Sequence, residues 1–326
     1  MDFKSFLKNN TVFLDGGMGT LLQKKGVLGT GYPELLNITH PEIIAGIHKE
    51  YYDAGSNVVC TNTFGANILK FDTETLENII KTAVENANKA RLSTVNGGEK
   101  FIALDIGPTG KLLEPMGELS FEKAVSVFGE TVRLGVKYGV DLIVIETMTD
   151  SYETKAALLA AKENSSLPVI VTNAYDKNGK LLTGATPAAM VAMLEGMGAD
   201  AIGANCSLGP KQLISVAEEY LKYASVPVVL KPNAGLPVVE NGKTVYDVGA
   251  EEFASDLAEL IKKGVRVAGG WVSKRVRSNF IMLYKNSIHL FLSSVKIRIL
   301  IIFAIPRSSS VKLIYITRSY YFSQTK

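Results

Sequence analysis

Along the first 270 residues, short runs of apolar and β-branched residues alternate with longer stretches whose apolar positions recur at helical spacing. That is the pattern of parallel βα units, in which strands are covered on both faces. Eight strands are predicted: TVFLDGG (11–17), NVVCTNTF (57–64), KFIALDIGP (100–108), DLIVIETM (141–148), PVIVTNAYD (168–176), ADAIGANC (199–206), PVVLKPNAG (227–235) and VRVAGG (265–270). Helix starts fall between them. Thr39 with Pro41 and Glu42 reads as a capping box, Asp150 with Glu153 repeats it, and Thr186-Pro187 caps a further helix. Eight strands, the first seven each followed by a helix, predict a (β/α)8 TIM-type barrel. A doubly wound sheet is the runner-up, but it rarely uses eight regular units and usually shows a GxGxxG turn, absent here.

The pattern stops at Gly270. Residues 271–326 hold ten of the 35 Lys and Arg, none of the 32 acids, no glycine and one alanine. Residues 1–270 therefore carry 25 basic against 32 acidic side chains, so the overall +3 describes a basic tail on an acidic body and gives no reason to expect nucleic acid as a partner. We read 1–270 as one domain and 271–326 as an atypical tail, as from a change of reading frame, that replaces the eighth helix. The expected consequences are poor solubility and a tail cut by proteases before the body. A membrane anchor is the alternative reading, but IRILIIFAI (297–305) is well short of the roughly 20 apolar residues that span a bilayer. The N-terminus shows no signal-peptide pattern, and two cysteines make no disulfide framework; both point to the cytoplasm.

In such a barrel the chemistry sits where strands end. The polar residues there are Asp15, Asn62, Thr63, Asp105, Glu146, Thr147, Asn173, Asn205, Cys206, Lys231 and Asn233. Any one of them can be a helix cap or loop hydrogen bonder, but a core needs no acid at the ends of strands 1 and 4. Cys206 reads either as a small buried apolar residue or as a ligand. Cys60 reads as core, and His40, His48 and His289 show no ligand spacing. Spacing alone establishes no metal site.

The segments FLDGGMGTLLQ, CTNTFGAN, IETMTD, GANCSLGP and KPNAGLP, in this order, resemble the homocysteine S-methyltransferase family, most closely the N-terminal homocysteine-binding module of cobalamin-dependent methionine synthases. The likeness runs from residue 10 to 270. It implies a barrel that converts homocysteine to methionine, with zinc holding the substrate sulfur as a thiolate. It also implies zinc ligands at Cys206 and at a Cys-Cys pair after Gly270, where this chain has Trp271 and Val272. By the same resemblance Asp15 and Glu146 hold the substrate ammonium, and the turns containing Gly16, Gly17 and Thr63 fix its carboxylate. Asn205 lies beside the metal, and Asn233 fills the open metal position before substrate arrives. The implied donor is methylcobalamin, charged from methyltetrahydrofolate by cobalamin and folate modules outside this barrel; a stand-alone enzyme using betaine or S-methylmethionine is the alternative. With the Cys-Cys pair missing, zinc binding is expected to be weak or lost and transfer impaired. Two other readings stay open: a non-catalytic remnant that binds an amino-acid thiol, and a lyase forming a Schiff base on Lys231.

Overall fold

The computed structural model describes residues 1–270 except 96, 236, 241, 242 and 247, with backbone alone at 237–240, 243–246 and 250. The expectations for Trp271, Val272 and the 271–326 tail lie outside the described residues. The chain opens with helix α1 (Phe3–Asn9) and strand β1 (Val12–Phe13), then α2 (Met18–Lys24), a 3-10 turn (Pro33–Leu35), α3 (Leu36–Thr39) and α4 (Pro41–Asp53). Four regular units follow: β2 (Val58–Cys60) with α5 (Thr73–Ser93), β3 (Phe101–Ile106) with α6 (Phe121–Tyr138), β4 (Leu142–Met148) with α7 (Ser151–Asn164), and β5 (Val169–Asn173) with α8 (Pro187–Gly196). Then come β6 (Ala201–Asn205) with α9 (Ile214–Tyr223), β7 (Val228–Lys231), a hairpin of β8 (Pro237–Glu240) and β9 (Lys243–Tyr246), α10 (Ala250–Lys262) and β10 (Val267–Ala268).

Eight strands pair in parallel in the order β1-β10-β7-β6-β5-β4-β3-β2, and a bridge from Leu14 to Val58 joins the two ends. This is the predicted (β/α)8 barrel, nearly closed. Alternation along each strand divides the core in two. Val12, Val58, Ala103, Val144, Ile170 and Val229 belong to one buried cluster inside the barrel. Phe13, Val59, Ile102, Ile143, Val169 and Leu230 belong to a second, shared with the surrounding helices. Helix α1 stops the N-terminal end of the barrel. Its Phe3 ring meets Phe101, the first residue of β3, edge-on at 5.2 Å, and Arg266 just before β10 donates to the carbonyl of Asn10 at 3.1 Å. The sequence pattern left out α1 and the β8–β9 hairpin.

Two helix starts differ from expectation. The cap of α4 is His40, whose side chain makes no bond to the helix's first amides; the Thr39 hydroxyl bonds to Leu35 O and His40 Nδ1. Pro41 still opens the helix, as its fixed φ favours. Asp150 does cap α7 by accepting from Tyr152 N–H, but Glu153 turns away to accept from the amide and hydroxyl of Thr109 at 2.8 and 2.6 Å. Thr186 caps α8 as expected, accepting from Ala189 N–H. Among the described residues no helix is long and apolar enough to cross a membrane.

His48, on the inner face of α4, is fully buried, and neither ring nitrogen has a partner among the described residues. Burial lowers its pKa from 6.5 to about 4. The unfolded chain therefore binds this proton first as pH falls. The contribution is constant above about pH 6.5 and is lost progressively down to about pH 4, by roughly 3 kcal/mol in all. Urea denaturation of the wild type and His48→Leu across this range should show the wild type losing that amount relative to the variant. Parallel profiles would refute the assignment.

Candidate functional site

The period that builds the barrel interior also builds the site. Two residues beyond the apolar interior positions Ala103, Val144, Ile170 and Val229 come Asp105, Glu146, Thr172 and Lys231, all buried. On β6, Asn205 takes the equivalent place, two residues beyond Gly203. They form the uppermost interior layer, at the strands' C-terminal ends. Asp15 enters from just past β1, its Oδ2 accepting the Cys60 amide at 2.8 Å.

Lys231 gathers this layer. Its Nζ lies 3.0 Å from Glu146 Oε2, 3.4 Å from Asp15 Oδ1 and 4.0 Å from Cys60 Sγ. Burial opposes the lysine's charge, yet the surrounding groups Cys60, Glu146, Asp15 and Asp105 hold it as an ammonium, well above its usual range. An ammonium clamped by two carboxylates is not a nucleophile, so the geometry lends nothing to the Schiff-base reading. For Asp15 burial outweighs Lys231 and the Cys60 amide, and its pKa rises to about 6. Asp105 is pushed well above the usual carboxylate range by burial and by Glu146. Its Oδ1 has no partner among the described residues.

Beside the acids is a sulfur site. Cys206 Sγ lies 3.3 Å from Asn205 Nδ2 and 3.7 Å from Thr147 Oγ1. Asn205 and Thr147 lock each other: Thr147 N–H donates to Asn205 Oδ1 at 2.8 Å, and Asn205 Nδ2 donates to Thr147 Oγ1 at 2.7 Å. Thr147, Cys206 and Ser207 all have positive φ, at 62, 56 and 58°. Such backbone is costly without glycine, above all for a β-branched threonine, and it collects where the surroundings enforce it. Here a register irregularity between Ile145 and Met148 and the Asn205 bonds enforce it. Burial, then Glu146, raises the Cys206 thiol to about 12. The two clusters meet through Glu146-Thr147 and through the bond from Cys206 N–H to Lys231 O at 3.0 Å.

The remaining sequence candidates are placed as follows. Gly16 sits where a Cβ would lie 2.6 Å from Gly270 O and 2.7 Å from the Tyr51 hydroxyl, so only glycine fits. Gly17 caps α2, and its carbonyl accepts from the hydroxyls of Thr20 and Tyr51. Asn233 is held at the Cys206 turn by its N–H on Leu208 O at 3.0 Å. Thr63 is fully buried, its hydroxyl donating to Asp105 O at 2.8 Å and its amide to Thr61 O. Sequence reasoning gave no role to Thr147, and it did not join Lys231 to Asp15 and Glu146. The signal for the second lay in the register, since Lys231 follows interior Val229 by two and must find an anion there.

A catalytic zinc of the implied kind needs three protein ligands, here thiolates, and an open position. The whole chain has two cysteines. Cys60, buried beneath Lys231, has its thiol pushed far up by burial and by Asp15. No three His, Cys, Asp or Glu side chains among the described residues group as a metal site. The residues present do not fit that zinc.

The family model described as homocysteine S-methyltransferase matches residues 12–271. Methionine synthase of Mycobacterium leprae (strain TN) is 29% identical over 82% of this chain, and that of Mycobacterium tuberculosis (strain ATCC 25618 / H37Rv) is 28% identical over the same share. The chain spans about a quarter, 24%, of the length of these relatives. The metallated form of the homocysteine methyltransferase MmuM from Escherichia coli superposes with a TM-score of 0.73 at 21% identity, covering 87% of this chain and 99% of that one. At that identity the likeness is one of fold.

Proposed function

Because the chain belongs to the homocysteine S-methyltransferase family, we propose that the mouth of its barrel holds homocysteine and presents the sulfur as acceptor of a methyl group, giving methionine. One observation carries this reading. Asp15 and Glu146 converge on an alkylammonium, at present that of Lys231, and Glu146 is followed in the chain by Thr147, whose hydroxyl lies 3.7 Å from the Cys206 thiol. In the proposed complex the pair holds the α-ammonium of homocysteine, while backbone donors of the Gly16-Gly17 turn serve its carboxylate. Thr63 supports Asp105 rather than the substrate. Asn205 and Thr147 set the position of Cys206, beside which the substrate sulfur lies, with Asn233 across the turn.

Transfer forms a sulfur–carbon bond, breaks the bond between the methyl carbon and its donor, and releases the thiol proton to solvent. Methylcobalamin is the proposed donor, with its cobalamin and folate modules outside residues 1–270. A thiol of pKa about 8.5 is only a few per cent thiolate at pH 7, and this chain offers no fitting zinc to ionise it. Transfer by the chain is therefore proposed to be impaired. The scarcity of thiols also favours the second reading, a domain that only binds the amino-acid thiol. Both cysteines are free, which suits the reducing cytoplasm.

Titration calorimetry with homocysteine tests the site. Asp15→Asn and Glu146→Gln should each weaken binding about twofold to threefold, less than a charge-assisted hydrogen bond is worth by itself because Lys231 already occupies the pair. Unchanged affinity in both would refute the assignment. Affinity should also fall with pH, because Asp15 takes a proton at about 6. The carboxylate that attracts the ammonium is present above that value and lost below it. Binding at pH 5 should be several-fold weaker than at pH 7.5, and Asp15→Asn should flatten this dependence.

A further inference from the structure

The Asp15–Glu146 pair already has an occupant. Lys231 Nζ lies between the two carboxylates, and all three side chains are at most 3% exposed. No ligand reaches these acids while the lysine stays in place. We propose that Lys231 is a tethered competitor for the ammonium subsite: homocysteine enters only as the lysine withdraws, and Lys231 sets how strongly the site distinguishes an α-amino thiol from its deamino counterpart. This rests on the reading of Asp15 and Glu146 as the ammonium subsite.

Three features support the exchange. Two ammonium groups confined to one small, dry site repel strongly, so the pair takes one or the other. Replacing one ammonium by another leaves both carboxylates compensated, which avoids the penalty of baring a buried charge. The lysine also has a destination. Its stem is flexible and unbranched. Asp105, in the same interior layer as Lys231, keeps a buried Oδ1 without a partner among the described residues. That oxygen is an acceptor to which the lysine can turn.

A tethered rival acts at a high effective concentration and cancels much of what the substrate's own ammonium contributes. The probe is the pair homocysteine and 4-mercaptobutanoate, which share thiol and carboxylate but differ in the ammonium. With wild-type protein at pH 7.5, calorimetry should show homocysteine preferred by no more than about threefold, and Lys231→Met should widen this to about tenfold or more, the worth of the unopposed charge-assisted bonds. A wild type that already prefers homocysteine by about tenfold, with Lys231→Met leaving the ratio unchanged or lowering it, would overturn the inference alone. Binding of neither thiol by either protein would overturn the proposed function with it. Should Lys231→Met fail to fold, the wild type decides. A wild-type preference for homocysteine over 4-mercaptobutanoate of about threefold or less supports the inference, and one of about tenfold or more overturns it.

Discussion

Lys231→Met should cost the folded protein about 3–5 kcal/mol at pH 8, the penalty of leaving buried charge without its partner. The lysine is 2% exposed and touches Asp15 and Glu146, themselves buried, so removing it strands two carboxylates in one dry layer. A domain's net stability is only about 5–15 kcal/mol, which makes this one contact decisive. The loss must depend on pH, and the sign follows from Asp15. Its pKa is raised to about 6 even with the lysine present, and it rises further without it. A raised carboxyl favours the folded state below its unfolded value and loses that contribution as pH climbs through the folded one. The variant should therefore sit nearer to the wild type at pH 5 than at pH 8. Adding Glu146→Gln should recover part of the loss, because one charge then disappears from the site. Guanidinium unfolding of the three proteins at both pH values measures this. A loss under about 1 kcal/mol at pH 8 would mean that the lysine is not the pair's counter-ion in solution.

How far this site was legible follows from the same residues. Strand positions came from apolar alternation, and eight runs gave eight strands, because a buried parallel strand has no other way to be written. The strand-end acids followed from the barrel alone, since polar groups at those places have no packing task. The ion cluster did not follow. Lys231 read only as one strand-end polar residue among others, and its burial depends on two carboxylates 216 and 85 residues away in sequence. The family resemblance gave Thr63 to the substrate carboxylate, and the sequence held no sign that its hydroxyl donates to Asp105 O, a partner 42 residues away. The Thr39 box failed for a local reason, as α3 runs through Thr39 and leaves His40 to begin the next helix. Helix α1 was missed because seven residues are too few to show a period, and what holds it is Phe3 against Phe101.

The second large effect concerns metal. Structural zinc sites with four ligands are worth about 10–16 kcal/mol, and losing two of three thiolates should remove half or more of a comparable affinity. Cys206 stands at the mouth, where a metal could reach it, with Asn205 and Thr147 as its polar neighbours. Cys60 is no substitute, since its sulfur lies 4.0 Å from the Lys231 ammonium, and a dication there would meet a fixed positive charge. The purified chain, loaded with zinc and dialysed against a mild chelator, should keep well below one equivalent. The double substitution Trp271→Cys, Val272→Cys supplies thiols at the two positions that the family resemblance assigns. It should raise zinc affinity at least about a hundredfold in competition with a chromophoric chelator, and Cys206→Ser in that background should reverse much of the gain. One tightly held equivalent in the wild type would defeat the prediction and require a ligand set that uses neither a Cys-Cys pair nor Cys60. A double variant that gains nothing would mean that positions 271 and 272 do not reach Cys206, and the site's metal chemistry would then have to be sought elsewhere in the chain.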